Sequence, residues 1–135
     1  MKELVTDTHS FLWHLYSPSR LGSAARQAFA TTDTGETRIY IPSLVVAEAL
    51  MVVQKHRLPG VELDELVEYL EIALHSSNYV LSDLQARMVL DSHHFTVIPD
   101  IFDRLVVVEA VVRGLPLISR DSVIRDSGLV SMVWE

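Results

Sequence analysis

The chain has 135 residues, of which 49% are hydrophobic and 21% charged, with a net charge of −7 and no cysteine. This length suits one domain, the composition excludes a generally disordered chain, and the lack of cysteine excludes a disulfide framework and a thiolate metal site. The negative net charge excludes a protein that binds nucleic acid through an overall positive surface. Any contact with nucleic acid must therefore come from a few local residues.

Targeting and membrane signals are missing from the sequence. Asp7 and His9 interrupt the only apolar segment near the N-terminus, which argues against a signal peptide. No stretch approaches the roughly 18 apolar residues that a membrane-spanning helix needs. We therefore expect a cytoplasmic protein with no membrane partner, and the absence of cysteine fits a reducing compartment.

The first half of the chain alternates short β-like runs with helical ones. Strands are predicted over residues 3–6 and 38–41, and helices over residues 10–15, 23–31 and 44–54. Ser43 follows a proline at the start of the third helix and is its predicted N-cap.

The second half continues the alternation. Helices are predicted over residues 61–75, 83–91, 103–113 and 122–126, and strands over residues 79–81, 116–119 and 131–134. Gly114 is the predicted C-terminal stop of the 103–113 helix, and no regular element is predicted over residues 93–99. With no linker or repeat to divide it, the chain is predicted to form one α/β domain over residues 1–135, with a mainly parallel sheet of four to five strands covered by helices on both faces.

Two aspartates follow predicted strands closely. Asp7 comes directly after the first strand, and Asp121 comes after residues 116–119 with only Arg120 between. Ligands of a parallel α/β sheet bind just beyond the carboxyl ends of its strands, so both acids are expected at one edge of the sheet. The alternative is that each aspartate only caps the helix that follows it.

Glu48 is the only polar residue between positions 44 and 53, in a helix that is apolar nearly all the way round. Such a helix is expected to be buried, and an interior carboxylate costs several kcal/mol unless it is paired, hydrogen-bonded or bound to a metal ion. Glu48 therefore needs a partner. The alternative is that it occupies one narrow solvated face of the helix.

Further acids occur at and within the next apolar helix. Asp100 and Asp103 open it, and either could cap the helix or complement its dipole. Glu109 lies inside the helix, but Arg113 follows four residues later in the favourable order and offers an ordinary ion pair. We interpret Glu109 as structural.

The acids from four separate segments, namely Asp7, Glu48, Asp100 or Asp103, and Asp121, would repel one another severely if they converged. Crowded carboxylates coexist when some are protonated or when a hard cation neutralises them. Oxygen ligands without cysteine favour Mg²⁺ or Mn²⁺. A carboxylate cluster that holds such ions can activate water and stabilise phosphodiester cleavage, which is nuclease chemistry.

These segments resemble the PIN-domain family, and in particular the VapC-type ribonuclease toxins of prokaryotic toxin–antitoxin pairs. The resemblance spans nearly the whole chain, and no single piece of it is decisive without the order of all four. The four pieces are Val5-Thr6-Asp7-Thr8-His9-Ser10-Phe11-Leu12-Trp13, Glu48 in its apolar helix, Pro99-Asp100-Ile101-Phe102-Asp103-Arg104-Leu105, and Leu117-Ile118-Ser119-Arg120-Asp121.

The resemblance implies a PIN domain acting as a Mg²⁺- or Mn²⁺-dependent endoribonuclease. The metal ligands that it implies are Asp7, Glu48, Asp103 and Asp121. It also implies that Asp100 is an additional acid near the site, and that Ser119 supplies a hydroxyl that orients water or an acidic side chain. A homodimer and a small antitoxin whose C-terminal segment covers the active site are implied too, although the family contains stand-alone members without an antitoxin.

The sequence departs from the common family pattern at three positions. Ile101 stands where many relatives have proline, Glu109 where they often have glutamine, and Ser119 where threonine is usual. None of these departures removes a metal ligand. They bear only on the subfamily and the substrate.

Attraction of RNA to an acidic protein would come from the metal ions and a few basic residues. Arg104, Arg120 and Arg125 are candidates because they adjoin the acid-bearing segments. Each of them could instead pair with a neighbouring acid.

Other functional classes find less support. The six histidines lack zinc-binding spacing, and the five glycines form no phosphate-binding loop. We interpret His9 as a packing residue or as a residue that supports the ligands of the site. A domain phosphorylated on Asp7 would need a second acid nearby, which is missing. A non-catalytic acidic α/β interaction module, with the acids in structural ion pairs, stays open as an alternative. DNA also stays open as a substrate.

Overall fold

The computed structural model describes all 135 residues. The strands are β1 Lys2–Thr6, β2 Thr37–Pro42, β3 Tyr79–Ser82, β4 Leu117–Ile118 and β5 Met132–Val133. The helices are α1 Thr8–Tyr16, α2 Ser23–Asp33, α3 Ser43–Gln54, α4 Leu63–Ala73, α5 Ala86–Asp91, α6 Ile101–Arg113 and α7 Ser122–Ser127. Two short 3₁₀ segments cover Pro18–Arg20 and Ser92–Phe95. No helix is both long and apolar enough to span a bilayer.

The strands form one five-stranded sheet in the order β3-β2-β1-β4-β5, and every neighbouring pair is parallel. The predicted α/β architecture with a parallel sheet is therefore confirmed. Leu4, Val5 and Thr6 are consecutive in the central strand, and each is 0% exposed. Since consecutive strand residues point to opposite faces, both faces of the sheet are covered.

The strand order reverses at β1. The chain winds from β1 through β2 to β3 on one side, and then returns to place β4 on the other side of β1. In the β1–β4 pair Thr6 lies opposite Ile118, and the amide of Asp7 donates to the carbonyl of Ile118 at 3.1 Å. A reversal of this kind opens a crevice beyond the carboxyl ends of the two strands, which is where such folds bind ligands.

Helix boundaries agree with the predicted ones to within a few residues, and the largest shift is at the start of α5. The pattern predicts residues 83–91, whereas the helix covers Ala86–Asp91. At α4 the pattern predicts residues 61–75, and the helix covers Leu63–Ala73. Gly114 ends α6 as predicted, in a left-handed conformation with φ 66° that glycine adopts without strain.

The predicted N-cap role of Ser43 is wrong. Pro42 occupies the N-cap position of α3, and Ser43 is the first residue of the helix. The Ser43 hydroxyl instead accepts a hydrogen bond from the amide of Leu84 at 3.0 Å, which ties the start of α3 to the segment that follows β3. A contact between segments 41 residues apart in sequence has therefore replaced the local one that the capping pattern favours.

The two apolar helices α3 and α6 are buried to different extents. In α3, Val45 and Ala49 are fully buried, but Ala47 is exposed and Glu48 is only half-buried. The expectation of a helix buried all the way round is wrong for α3. In α6 every residue from Leu105 to Ala110 is buried. The carboxylate in the interior is thus that of Glu109, which is 0% exposed.

Glu109 finds partners inside the core. It accepts hydrogen bonds from the hydroxyl of Ser82 and from Nε of Arg113, the latter at 3.3 Å, while its second oxygen has no partner. Burial raises the pKa of Glu109, and Ser82 and Arg113 counteract this rise. The predicted Glu109–Arg113 ion pair is present. Arg113 also lies over the ring of Tyr40 at 4.1 Å from its centroid, so the pair joins α6 to the sheet.

Candidate functional site

An open cleft of about 840 Å³ lies beyond the carboxyl ends of β1 and β4. The five acids singled out in the sequence all line it, and they are Asp7, Glu48, Asp100, Asp103 and Asp121. They come from the ends of two neighbouring strands, from α3 and from the start of α6. The fold therefore brings together side chains separated by more than 100 positions in the chain.

Three of the acids cap helices and line the cleft at the same time. Oδ1 of Asp7 accepts the amide of Ser10 at 3.0 Å, and Oδ1 of Asp121 accepts the amide of Val123 at 2.8 Å. Oδ1 of Asp100 accepts the amide of Phe102 at 2.8 Å. The capping role and the ligand role are thus not alternatives here. Each cap fixes one carboxylate oxygen, and Oδ2 of Asp100 and of Asp121 accepts no protein hydrogen bond.

Glu48 reaches the cleft from the middle of α3. Its Oε1 accepts a hydrogen bond from the hydroxyl of Thr8, a buried residue at the start of α1. The partner that the carboxylate was expected to need is therefore a neutral hydroxyl. Because a hydroxyl brings no positive charge, the negative charge of Glu48 is not compensated by the protein at this contact.

Burial and the charges of the neighbouring acids act together on Asp103. Partial burial raises the pKa of Asp103 to about 7, with further contributions from the charges of Asp100, Asp121, Glu48 and Asp7 in that order. A carboxyl group with such a pKa is about half protonated at neutral pH. The cleft thus holds more negative charge than it can tolerate without a proton or a cation.

Asp7 is perturbed in the same direction. Burial raises its pKa, whereas hydrogen bonding by Ser10 and Ser119 lowers it. Ser119 is buried beneath the cleft, and its hydroxyl accepts the amide of Asp121 at 3.1 Å. Ser119 therefore acts on both strand-end aspartates, by accepting the amide of Asp121 and by lowering the pKa of Asp7.

Cationic and aromatic side chains line the same cleft as the acids. Arg20 and Arg120 line it together with His9 and Trp13. The guanidinium carbons of Arg20 and Arg120 lie 5.7 and 5.0 Å from the centroid of the Trp13 ring, and the His9 ring lies 5.8 Å from it. Sequence reasoning missed Arg20 and Trp13, because the chain reversal after α1 brings Arg20 to the cleft and no local pattern signals it.

The other two candidate arginines have partners elsewhere. Arg104 donates from Nε to the carbonyl of Ile98 at 2.7 Å and from Nη2 to that of Pro99 at 3.0 Å, so it holds the turn before α6. Arg125 donates to Asp126 at 3.2 Å in an exposed pair. Arg125 thus has the acidic partner that was the alternative to a contact with RNA, whereas Arg104 is held by backbone carbonyls and not by an acid.

The side chains of the cleft fit a hard divalent cation by chemistry. All the candidate ligands are carboxylates, and their repulsion favours any ion that adds positive charge. Oδ2 of Asp121 accepts no protein hydrogen bond and is free to bind such an ion. No three acidic or histidine side chains are arranged as a ready-made metal centre in this structure. Binding of an ion would therefore require the carboxylates to turn toward it.

Comparison with known proteins gives one family match and several structural likenesses. The family model described as PIN domain matches residues 4–128. No curated protein matches the chain in sequence. The structure resembles VapBC2 from Rickettsia felis bound to a DNA fragment from their promoter, with a TM-score of 0.68, 15% identity, and coverage of 98% of this chain and 99% of that one. It also resembles FitAcB from Neisseria gonorrhoeae, with a TM-score of 0.58, 13% identity and 96% coverage of each chain.

Proposed function

The chain belongs to the PIN-domain family, and on this premise we propose that it is a Mg²⁺- or Mn²⁺-dependent endoribonuclease and the cytoplasmic toxin of a type II toxin–antitoxin pair. The observation that carries the proposal is the convergence of Asp7, Glu48, Asp103 and Asp121 on one cleft at the point where the strand order reverses. PIN domains are generally nucleases, which agrees with a site built for phosphodiester cleavage.

Asp7, Glu48, Asp103 and Asp121 would hold the cation, with Asp100 as an additional acid beside them. When bound, Mg²⁺ or Mn²⁺ supplies an activated water and stabilises the charge that develops on the oxygens of the phosphodiester. The chain itself fixes the ligands. The caps formed by Asp7, Asp100 and Asp121 hold these side chains at the N-termini of three helices, so each carboxylate stays at the cleft while it turns toward an ion.

Thr8 and Ser119 position the acids without being ligands themselves. Thr8 holds Glu48 against α1, and Ser119 accepts the amide of Asp121 while favouring the ionised form of Asp7. Asp103 is partly protonated near neutral pH when no cation is bound. It must lose this proton before its carboxylate can serve as a ligand.

The absence of charge compensation disfavours the alternative of a non-catalytic interaction module. In such a module the acids would form structural ion pairs. None of the five ion pairs in the structure includes Asp7, Glu48, Asp100, Asp103 or Asp121. Carboxylates without positively charged partners repel one another and destabilise a surface, but they attract a cation.

We propose a small cognate antitoxin and a second copy of the chain as partners. The residue motifs resemble those of VapC-type toxins, and one of the similar folds is VapBC2 from Rickettsia felis. The chain also exposes large apolar side chains around the contact between α5 and α6, including Leu90, Val97 and Phe102, which are 60, 63 and 44% exposed. Such side chains suit a surface that another chain covers.

An RNA cleavage assay tests the proposed activity. We expect the protein to cut single-stranded RNA with Mg²⁺ or Mn²⁺, to stop in EDTA, and to lose activity in Asp7→Asn. Matched DNA should be cut poorly or not at all. Cleavage that persists in EDTA, or full activity in Asp7→Asn, would contradict the metal-dependent mechanism, and preferential cleavage of DNA would contradict the proposed substrate.

A further inference from the structure

Trp13, Arg20 and Arg120 line the cleft together with the acids and contact one another through the Trp13 ring, and we call these three residues the arginine wall. Trp13 is only 8% exposed, so its ring is fixed by the core. Trp134 packs against it with ring centroids 6.0 Å apart. Both guanidinium groups lie within the roughly 6 Å at which a cation is attracted to an aromatic face. The two arginines therefore have a rigid base although both are at the surface.

Neither arginine of the wall has a polar partner. Arg20 and Arg120 take part in none of the ion pairs and none of the side-chain hydrogen bonds of the structure. This holds even though five carboxylates line the same cleft. Contact with an aromatic face leaves the N–H groups at the edge of a guanidinium free. Each arginine thus keeps its fork of donors available for a planar or tetrahedral oxyanion.

We propose that the arginine wall binds backbone phosphates of the RNA strand that flank the phosphate to be cut. The inference rests on the proposed ribonuclease function and deepens it by assigning residues to substrate binding. An RNA strand that enters an acidic cleft needs a local source of positive charge beside the catalytic cation. Arg20 and Arg120 provide two such charges, in a protein whose net charge is −7.

Phosphate is favoured over a base as the group that Arg120 binds. Arg120 is exposed and lies between the acid cleft and a smaller one of about 250 Å³ that is lined in part by Arg125 and Trp134. A chain of phosphates can run past such a residue from one cleft to the other, whereas a single base would fill only one of them. Contacts to phosphates position a strand without reading its sequence. The arginine wall is accordingly expected to set affinity and register rather than sequence preference.

Binding can be measured separately from cleavage. In an Asp7→Asn background with EDTA, the anisotropy of a labelled single-stranded oligoribonucleotide reports affinity at several salt concentrations. We expect Arg20→Gln and Arg120→Gln each to weaken binding by about tenfold, and each to reduce the slope of log affinity against log salt by about 0.7. Lys2→Gln is the control, because it removes the same charge from an exposed residue at the other end of the sheet.

Two further measurements make the outcome unambiguous. Mn²⁺ should raise the melting temperature of the arginine variants made with Asp7 intact as much as that of the wild type, because the acids are untouched. Arg120→Lys should keep most of the salt slope but bind more weakly, since lysine lacks the planar fork of donors.

The failure of this inference and that of the proposed function can be told apart. If the wild type cleaves RNA but the double variant Arg20→Gln/Arg120→Gln binds it like Lys2→Gln, with the same salt slope, the arginine wall is overturned and the nuclease stands. If the Asp7→Asn protein with its arginines intact does not bind RNA, the arginine wall is also overturned. If the arginine-dependent binding is present but no metal supports cleavage by the wild type, the proposed function fails, and only the binding of RNA phosphates by the arginine wall stands.

Discussion

Thr8 donates its hydroxyl hydrogen bond to Glu48 across 40 positions of sequence, next to the strand-end residue Asp7. This contact fixes the rotation of a carboxylate that α3 presents to the cleft, since no other protein group hydrogen-bonds to it. The orientation of one ligand candidate thus depends on a neighbour of another.

Replacing Thr8 with valine tests this dependence. Valine has nearly the same shape but no hydroxyl, so Glu48 loses its only protein hydrogen bond. We expect a loss of about 10- to 100-fold in Mn²⁺ affinity or cleavage rate, the usual effect of removing a group that orients a metal ligand. Metal titration followed by cleavage kinetics measures it. Thr8→Ser keeps the hydroxyl and should behave like the wild type, and equal activity of Thr8→Val would show that Glu48 needs no such support.

Asp121→Asn separates the capping role of the residue from its role as a ligand. Asparagine is as good an N-cap as aspartate, so α7 keeps its hydrogen bonds to Val123 and Ile124. Removing one negative charge from the crowded cleft relieves repulsion. We expect cleavage to be abolished, while the metal-free protein keeps or gains thermal stability. Chemical denaturation in EDTA gives the stability, and a clear loss of it would mean that the charge of Asp121 serves the fold.

The raised pKa of Asp103 predicts how the metal-free protein responds to pH. Its pKa is about 7 in the folded state against 3.8 for the unperturbed group, so the folded protein binds the proton more tightly than the unfolded chain. Between these two values the folded state holds more protons, and stability therefore falls as pH rises through that window. We expect the melting temperature in EDTA to decrease from about pH 4 toward pH 7.

Two variations test this pH dependence. Asp103→Asn has no titrating carboxyl at that position, so its stability should vary less over the same range. Saturating Mn²⁺ should raise the melting temperature most at the upper end of the range, because a bound ion stabilises the folded state by mass action and favours ionised carboxylates. A melting temperature that rises with pH in EDTA would contradict the assignment.

The close packing of Gly22 against Trp134 predicts that a larger residue at this position destabilises the fold. A Cβ added to Gly22 would lie 2.3 Å from the carbonyl oxygen of Trp134, a backbone atom that also accepts the amide of Ala25 at 3.0 Å. Gly22→Ala must therefore displace the segment after β5, and we expect a loss of about 1–3 kcal/mol in the free energy of unfolding. Urea denaturation measures it. Because Trp134 supports Trp13, RNA affinity should fall as well.

The sequence predicts those parts of the fold and site that depend on local residue patterns and on the fold class. Asp7 and Asp121 could be placed at one edge because both follow strands of a parallel sheet, and that edge is a property of the fold class. The helix at residues 103–113 was recognisable from its apolar run and from Gly114. These signals need only the neighbouring residues, and they were read correctly.

The sequence was less informative where tertiary contacts decide. The burial of Glu48 was overestimated because hydrophobicity shows that a helix is apolar and not which of its faces meets the core, and the same reasoning left the deeply buried Glu109 as an ordinary pair. Arg20 became visible only when the reversal after α1 brought it beside Trp13. Ser43 fits the sequence pattern of an N-cap, but its hydroxyl accepts the amide of Leu84 instead of capping α3.

The caps that Asp7, Asp100 and Asp121 form bear on how this molecule can change during evolution. Glutamate would lengthen the side chain and misplace both oxygens, so the exchange that preserves the charge is the harmful one for the helix. Asparagine, a single nucleotide away from aspartate, keeps the cap and removes the negative charge. A lineage that dispenses with the proposed cleavage can therefore retain a well-folded, inert copy.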